Sequence, residues 1–166
     1  MKRIVLAFFL CLAQLLGAPV FAADSDVAVT MQAFRVVTTA KGAELVRTES
    51  AQPGETIEYQ VTYRNGGKTP ARDVIATLPV PAAGMAYLPD SAAPAAVQAS
   101  VDGKQFAPVP LQRTVLRDGR QVTEAVPVSE YRFLRWKLGD LAATQSATVT
   151  SRMRLTAGAA QRNTQQ

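Results

Sequence analysis

The chain has no histidine and a single cysteine, Cys11, among 166 residues. Lack of histidine removes the commonest general base and the usual nitrogen ligand of zinc. Cys11 lies inside the N-terminal apolar run, so the rest of the chain offers neither a disulfide nor a thiol nucleophile. A Ser-Lys pair or a pair of carboxylates is the catalytic chemistry that remains, and no nucleophile has a base at motif spacing. Lys41, Lys68 and Lys104 sit in glycine-containing turns, where a lysine is normally a solvated tip. Asp90, Asp102, Asp118 and Asp140 also fall in turns, which suit aspartate for backbone reasons. Dispersed in this way, without EF-hand spacing, they offer no evident calcium site. The expectation is a protein that is not an enzyme, with no cofactor and no metal. No segment shows a sustained helical apolar period, and no internal repeat is present.

What is present first is a leader. Lys2 and Arg3 precede an apolar run over residues 4–16, broken by Gly17 and Pro19 and followed by Val20-Phe21-Ala22. Charged start, apolar middle and small residues before a cleavage point make a secretory signal peptide. Cleavage is expected after Ala22, with Ala23 as the alternative. The run is shorter than the roughly 20 residues of a membrane-spanning helix, so no stable span is expected after cleavage. Cys11 is not a lipidation site, because Phe8-Phe9-Leu10 lacks the small residues that precede a lipidated cysteine. The expected organisation is a signal peptide over 1–22, one domain over 23–157 and a disordered polar tail over 158–166. Loss of Lys2 and Arg3 lowers the formal charge from +5 to +3. That is too weak to argue for nucleic acid, and the expected location is periplasmic or secreted.

The remainder reads as strands. Residues 56–64 alternate strictly, with Ile57, Tyr59, Val61 and Tyr63 on one face, between Pro53-Gly54 and Asn65-Gly66-Gly67. A first strand is expected over 27–38, bulged near Ala33 where the parity shifts, with a short return over 43–48. Another covers 72–78 and stops at Pro79-Val80-Pro81, because proline cannot donate to a ladder. Met85 and Tyr87 mark a short strand after the Gly84 turn. Asp102-Gly103 is expected as a two-residue hairpin, and a second Asp-Gly stands at 118–119. Leu134, Trp136 and Leu138 alternate before Gly139-Asp140, and Ala147, Val149, Ser151, Met153 and Leu155 alternate after it, so a last hairpin is expected there. These segments predict an all-β, immunoglobulin-like antiparallel β-sandwich of about 7–9 strands.

The order of motifs resembles the bacterial conserved-repeat family catalogued as domain of unknown function eleven, in its single-module exported form. The residues that carry the likeness are Pro53-Gly54, the Tyr-containing strand, Asn65-Gly66 and the Ala-rich segment 71–81. Tyr87 to Ala92, the Val101-to-Phe106 turn, Trp136 and the strand over 148–155 complete it. Thr77-Leu78 stands where the family often has an aspartate, and Ala143-Thr144 replaces its last Pro-Gly. The resemblance implies an extracytoplasmic, non-catalytic module with an immunoglobulin-like fold.

Parity assigns a core of Ile57, Tyr59, Val61, Tyr63, Val74, Leu134, Trp136, Val149 and Met153. Trp136 is read as a core plug rather than a ligand-stacking ring. Arg135, Lys137, Arg152 and Arg154 point the other way, and a paired last hairpin would gather them on one outer face as a candidate binding site. The simpler account is that charged edge strands block aggregation. The expected partner is an envelope protein or an anionic envelope component, met by a monomer, with a small anionic molecule or lipid as the alternative. An unpaired edge strand would favour a protein added as a strand, and a concave apolar pocket would favour a ligand.

Overall fold

The computed structural model describes residues 26–81 and 84–156, which hold eleven strands. In order they are β1 (Val27–Thr39), β2 (Gly42–Arg47), β3 (Thr56–Asn65), β4 (Ala71–Pro79), β5 (Met85–Tyr87) and β6 (Gln98–Ser100). Next come β7 (Ala107–Pro108), β8 (Gln112–Arg117), β9 (Arg120–Ala125), β10 (Phe133–Leu141) and β11 (Ser146–Leu155). A single 3-10 turn, Val128–Glu130, separates β9 from β10. The expected leader, its Cys11 and the polar tail lie outside the described residues.

Five strands form one sheet in the order β2-β1-β3-β11-β5, and four form another in the order β4-β10-β6-β7. All pairings are antiparallel. The two sheets close on one core, so the chain is an all-β antiparallel sandwich. Period-two alternation explains why. In β3 and β11 the pairs Tyr63–Ala147, Val61–Val149 and Ile57–Met153 face inward together. From the opposite sheet come Ala76, Leu78, Leu134 and Trp136, all buried. Of the nine expected core residues, Tyr59 and Val74 are half-buried and the other seven are buried. Trp136 is the plug, only 1% exposed, with its indole N–H donated to the Pro94 carbonyl at 2.9 Å.

Three local expectations are corrected. β10 and β11 do not form a hairpin: they belong to different sheets, and residues 142–145 cross between them. Two apolar alternations separated by a turn describe an arch as well as a hairpin, because both keep one face inward. Asp102-Gly103 is not a two-residue hairpin either. β6 and β7 pair through Gln98–Pro108 and Ala99–Ala107, leaving a loop over 101–106. Ser100 and Asp102 build that loop, the Asp102 carboxylate accepting from the amides of Lys104 and Gln105. Those amides and the Ser100 hydroxyl hold the Asp102 carboxyl below its ordinary range. Finally, β1 runs against β3 without a register break from Val27 to Arg35, so there is no bulge at Ala33. Beyond that point β1 pairs only with β2.

The true two-residue hairpin is Asp118-Gly119, where both residues have positive φ, 50° and 75°. It joins β8 and β9, which pair with each other alone and project as a ribbon. Leu116 on it is 72% exposed. Arg113 and Arg117 grip Glu124 across the ribbon at 3.0 and 2.6 Å. Those guanidinium groups keep the Glu124 carboxyl below its ordinary range. The root is set by Leu111 and Val126, both buried, and by the wholly buried Tyr131, whose hydroxyl accepts the Leu111 N–H at 2.8 Å. Tyr131 also stacks on Tyr87, with ring centroids 6.3 Å apart.

Two buried hydroxyls therefore predict opposite effects. Tyr131→Phe orphans the Leu111 N–H and should lower the unfolding free energy by about 1–3 kcal/mol. The Ser151 hydroxyl is fully buried without a hydrogen-bond partner. Ser151→Ala should leave stability unchanged or raise it by up to about 1 kcal/mol. Urea unfolding of both variants checks the contrast in sign.

Candidate functional site

The four basic residues do not meet. Arg135 and Lys137 lie on the outer face of the four-stranded sheet, opposite Thr77 and Ile75 of β4. Arg152 and Arg154 lie on the outer face of the five-stranded sheet, opposite Glu58 and Thr56 of β3. The crossing from β10 to β11 puts the two pairs on opposite sides of the sandwich. Two of the four already have partners. The Arg135 guanidinium carbon sits 3.3 Å above the Phe106 ring centroid, a cation–π contact. Arg152 Nε donates to the Glu58 carboxylate at 2.9 Å, and Gln60 donates to the other Glu58 oxygen at 2.8 Å. Lys137 and Arg154 are exposed and have no ion pair among the described residues. No three His, Cys, Asp or Glu side chains converge as metal ligands among the described residues.

The sheets instead leave an opening on one side. β4 ends its sheet, whereas β1 and then β2 extend the facing sheet past β3. In the first half of β1 the inward-facing side chains are Val27, Val29 and Met31, in register with Asn65, Tyr63 and Val61. Parity predicts burial for them. Yet Val29 is 56% and Met31 58% exposed, because no described strand of the second sheet lies over them. Between β1 and β4 lies a cavity of about 600 Å3, lined by Val27, Val29, Tyr63, Ala71 and Val74, with Asp26 at one end. The far side of the five-stranded sheet is closed differently. There β5 pairs with β11, and Ala93 exchanges two backbone hydrogen bonds with Thr150, at 2.9 and 2.7 Å.

The closed end of the groove is organised by Asn65. Its buried amide nitrogen donates to the carbonyls of Thr69, Leu141 and Ala142, at 2.8, 2.9 and 3.2 Å. Its oxygen accepts the Gly67 N–H at 2.9 Å. Gly67 packs close to Asp26: a Cβ there would lie 2.7 Å from its carboxylate oxygen, and the exposed Asp26 side chain would have to turn aside. Asp140 holds the start of β4: its carboxylate accepts the Asp73 N–H at 3.0 Å and pairs with Arg72. Asp73 itself has φ 50°, and the register with β10 shifts on both sides of Gly139. β4 therefore bends at its beginning and runs straight only from Val74 onward.

The groove was hidden in the sequence because β1 alternates like any half-buried strand. The parity shift after Ala33 did not point to it, because the groove residues precede it and β1 stays paired with β3 as far as Arg35. Inward-facing apolar side chains with no inward-facing partner strand are a property of sheet order, which alternation does not encode.

The Asp73 amide, and after it Arg72, hold the Asp140 carboxyl below the ordinary aspartate range. A depressed native pKa gives stability that is fully present above the unfolded value, near about 4, and lost as pH falls through the native value. Unfolding measured from about pH 6 downward should show wild type losing stability below about pH 4. Asp140→Asn should be less stable at neutral pH and flatter across that acid window.

No family model, curated protein or solved structure matches the chain.

Proposed function

We propose that this chain is an exported, non-catalytic module of the cell envelope that binds a partner protein through the groove between β1 and β4. The observation that carries the reading is the exposed inward face of β1. Val29 and Met31 are each more than half exposed on the side of the strand that faces the sandwich interior. Exposed single apolar residues are ordinary, but a contiguous apolar face beside a cavity marks an interaction site. Export is supported by the signal-peptide pattern at residues 1–22, and the envelope setting by the resemblance of the motif order to the conserved-repeat modules. A non-catalytic role is supported by the chemistry of the groove wall, which is largely valine, alanine, isoleucine and tyrosine, with Asp26 and the Asp140-paired Arg72 as its charged members.

Binding of an anionic molecule on a basic face has less support. Its four cations are split between opposite faces, and two of them are engaged with Phe106 and Glu58. The groove, by contrast, brings together the edge strand and the apolar concavity that were set out as separate signals.

A photo-activated cross-linking residue at Met31 tests this in intact cells, with one at Leu116 on the ribbon as the control. One dominant protein should be captured from position 31 and not from position 116. Val29→Asp should abolish that capture without changing the circular dichroism spectrum or melting temperature. Capture of lipid or glycan alone from position 31 would overturn the reading.

A further inference from the structure

Four strands end the two sheets, and they are not equally protected. β5 has three residues, β7 has two with a proline, and β2 has six, all exposed. β4 has nine, is hydrogen-bonded among the described strands to β10 alone, and has the largely apolar cavity along its other side. In an edge strand every second residue leaves its N–H and C=O without a ladder partner. β1 extends the five-stranded sheet past the end of the four-stranded one, so no described strand fills the position beside β4, over Val29 and Met31.

We infer that the occupant of the groove is an extended segment of the partner, added antiparallel to β4 as the missing fifth strand of its sheet. This rests on the reading of the groove as a protein-binding site. A compact apolar ligand would cover the valines and leave the β4 backbone unsatisfied. A strand answers both, since its backbone completes the ladder while alternate side chains enter the cavity. The straight part of β4 runs from Val74 to the proline at 79, which sets a core of about five residues for the added strand. Its inward positions are apolar, to meet Val27, Val29 and Val74. Charge places a basic residue at one of its ends. Of the two charged groove residues, Arg72 is paired with Asp140, while Asp26 has no ion pair among the described residues. Asp26 sits at the Ala71 end, because its carbonyl accepts the Gly66 N–H just before β4 begins. In an antiparallel addition the C-terminal end of the segment lies there, so that end carries a lysine or arginine.

The test uses synthetic peptides of about nine residues, with Val, Ile or Leu at alternate positions, Thr between them and Lys at the C-terminal end. Titration calorimetry on the purified protein should show saturable binding, and hydrogen exchange should slow at the amides of residues 74–78. N-methylation of the peptide amides that face β4 should weaken binding at least about tenfold. Moving the lysine to the N-terminal end should weaken it about threefold or more. Equal affinity of the plain and N-methylated peptides would overturn strand addition, while capture from Met31 would still stand. Failure of every peptide to bind or to protect residues 74–78 would also overturn it. Protection of β4 without any protein captured from Met31 would overturn the reading on which the inference rests, and the inference with it.

Discussion

The Asn65 side chain is the constraint on which the rest of the structure depends. One buried amide joins the end of β3, the loop that leads into β4 and the crossing from β10 to β11. Each of these is where the chain passes from one sheet to the other. A buried carbonyl without a donor is costly, and here three carbonyls converge on one nitrogen. Asparagine is suited to the position because it both donates and accepts. Aspartate would turn the donor into an acceptor facing three others. The spacing between sheets at the groove end thus follows from one residue, and so does the place where β4 begins.

Much of the scaffold was legible in the sequence. Alternation located β3 and β11 closely, and Pro79-Val80-Pro81 marked the end of β4. Trp136 took its inward place from its parity with Leu134. Alternation tells which face of a strand is apolar but not which strand lies beside it. Hence β10 and β11 read as a hairpin although they are in different sheets, and the four cations read as a cluster although they are not one. The Asp-Gly pairs show the same boundary. Asp118-Gly119 makes the tight turn because Arg117 and Arg120 pair directly across it. Asp102-Gly103 does not, because Ser100 offers its hydroxyl to the amides of Asp102 and Gly103 and opens a longer loop.

Electrostatics in this molecule is local. Arg35 is tied to Glu55, Arg72 to Asp140, Arg113 and Arg117 to Glu124, and Arg152 to Glu58. The exposed pairs among them contribute little stability, Glu58 being the buried exception, and most lysines and arginines of the described residues stand outside any ion pair. What sets the two sides of the sandwich apart is the way the sheets end. The side closed by β5 and Ala93 and the side left open at β4 give the sandwich a polarity that its composition does not show.

The ribbon of β8 and β9 carries a different consequence. Its root is pinned by Tyr131, Leu111 and Val126, while its strands pair only with each other and its tip turns on two residues. Chain added at Asp118-Gly119 would meet solvent and no core side chain. The tip is thus a natural port for grafted sequence: an epitope, a fluorophore or a second domain placed there should leave the sandwich intact. Length variation should also be tolerated at this tip more readily than anywhere along β3 or β11.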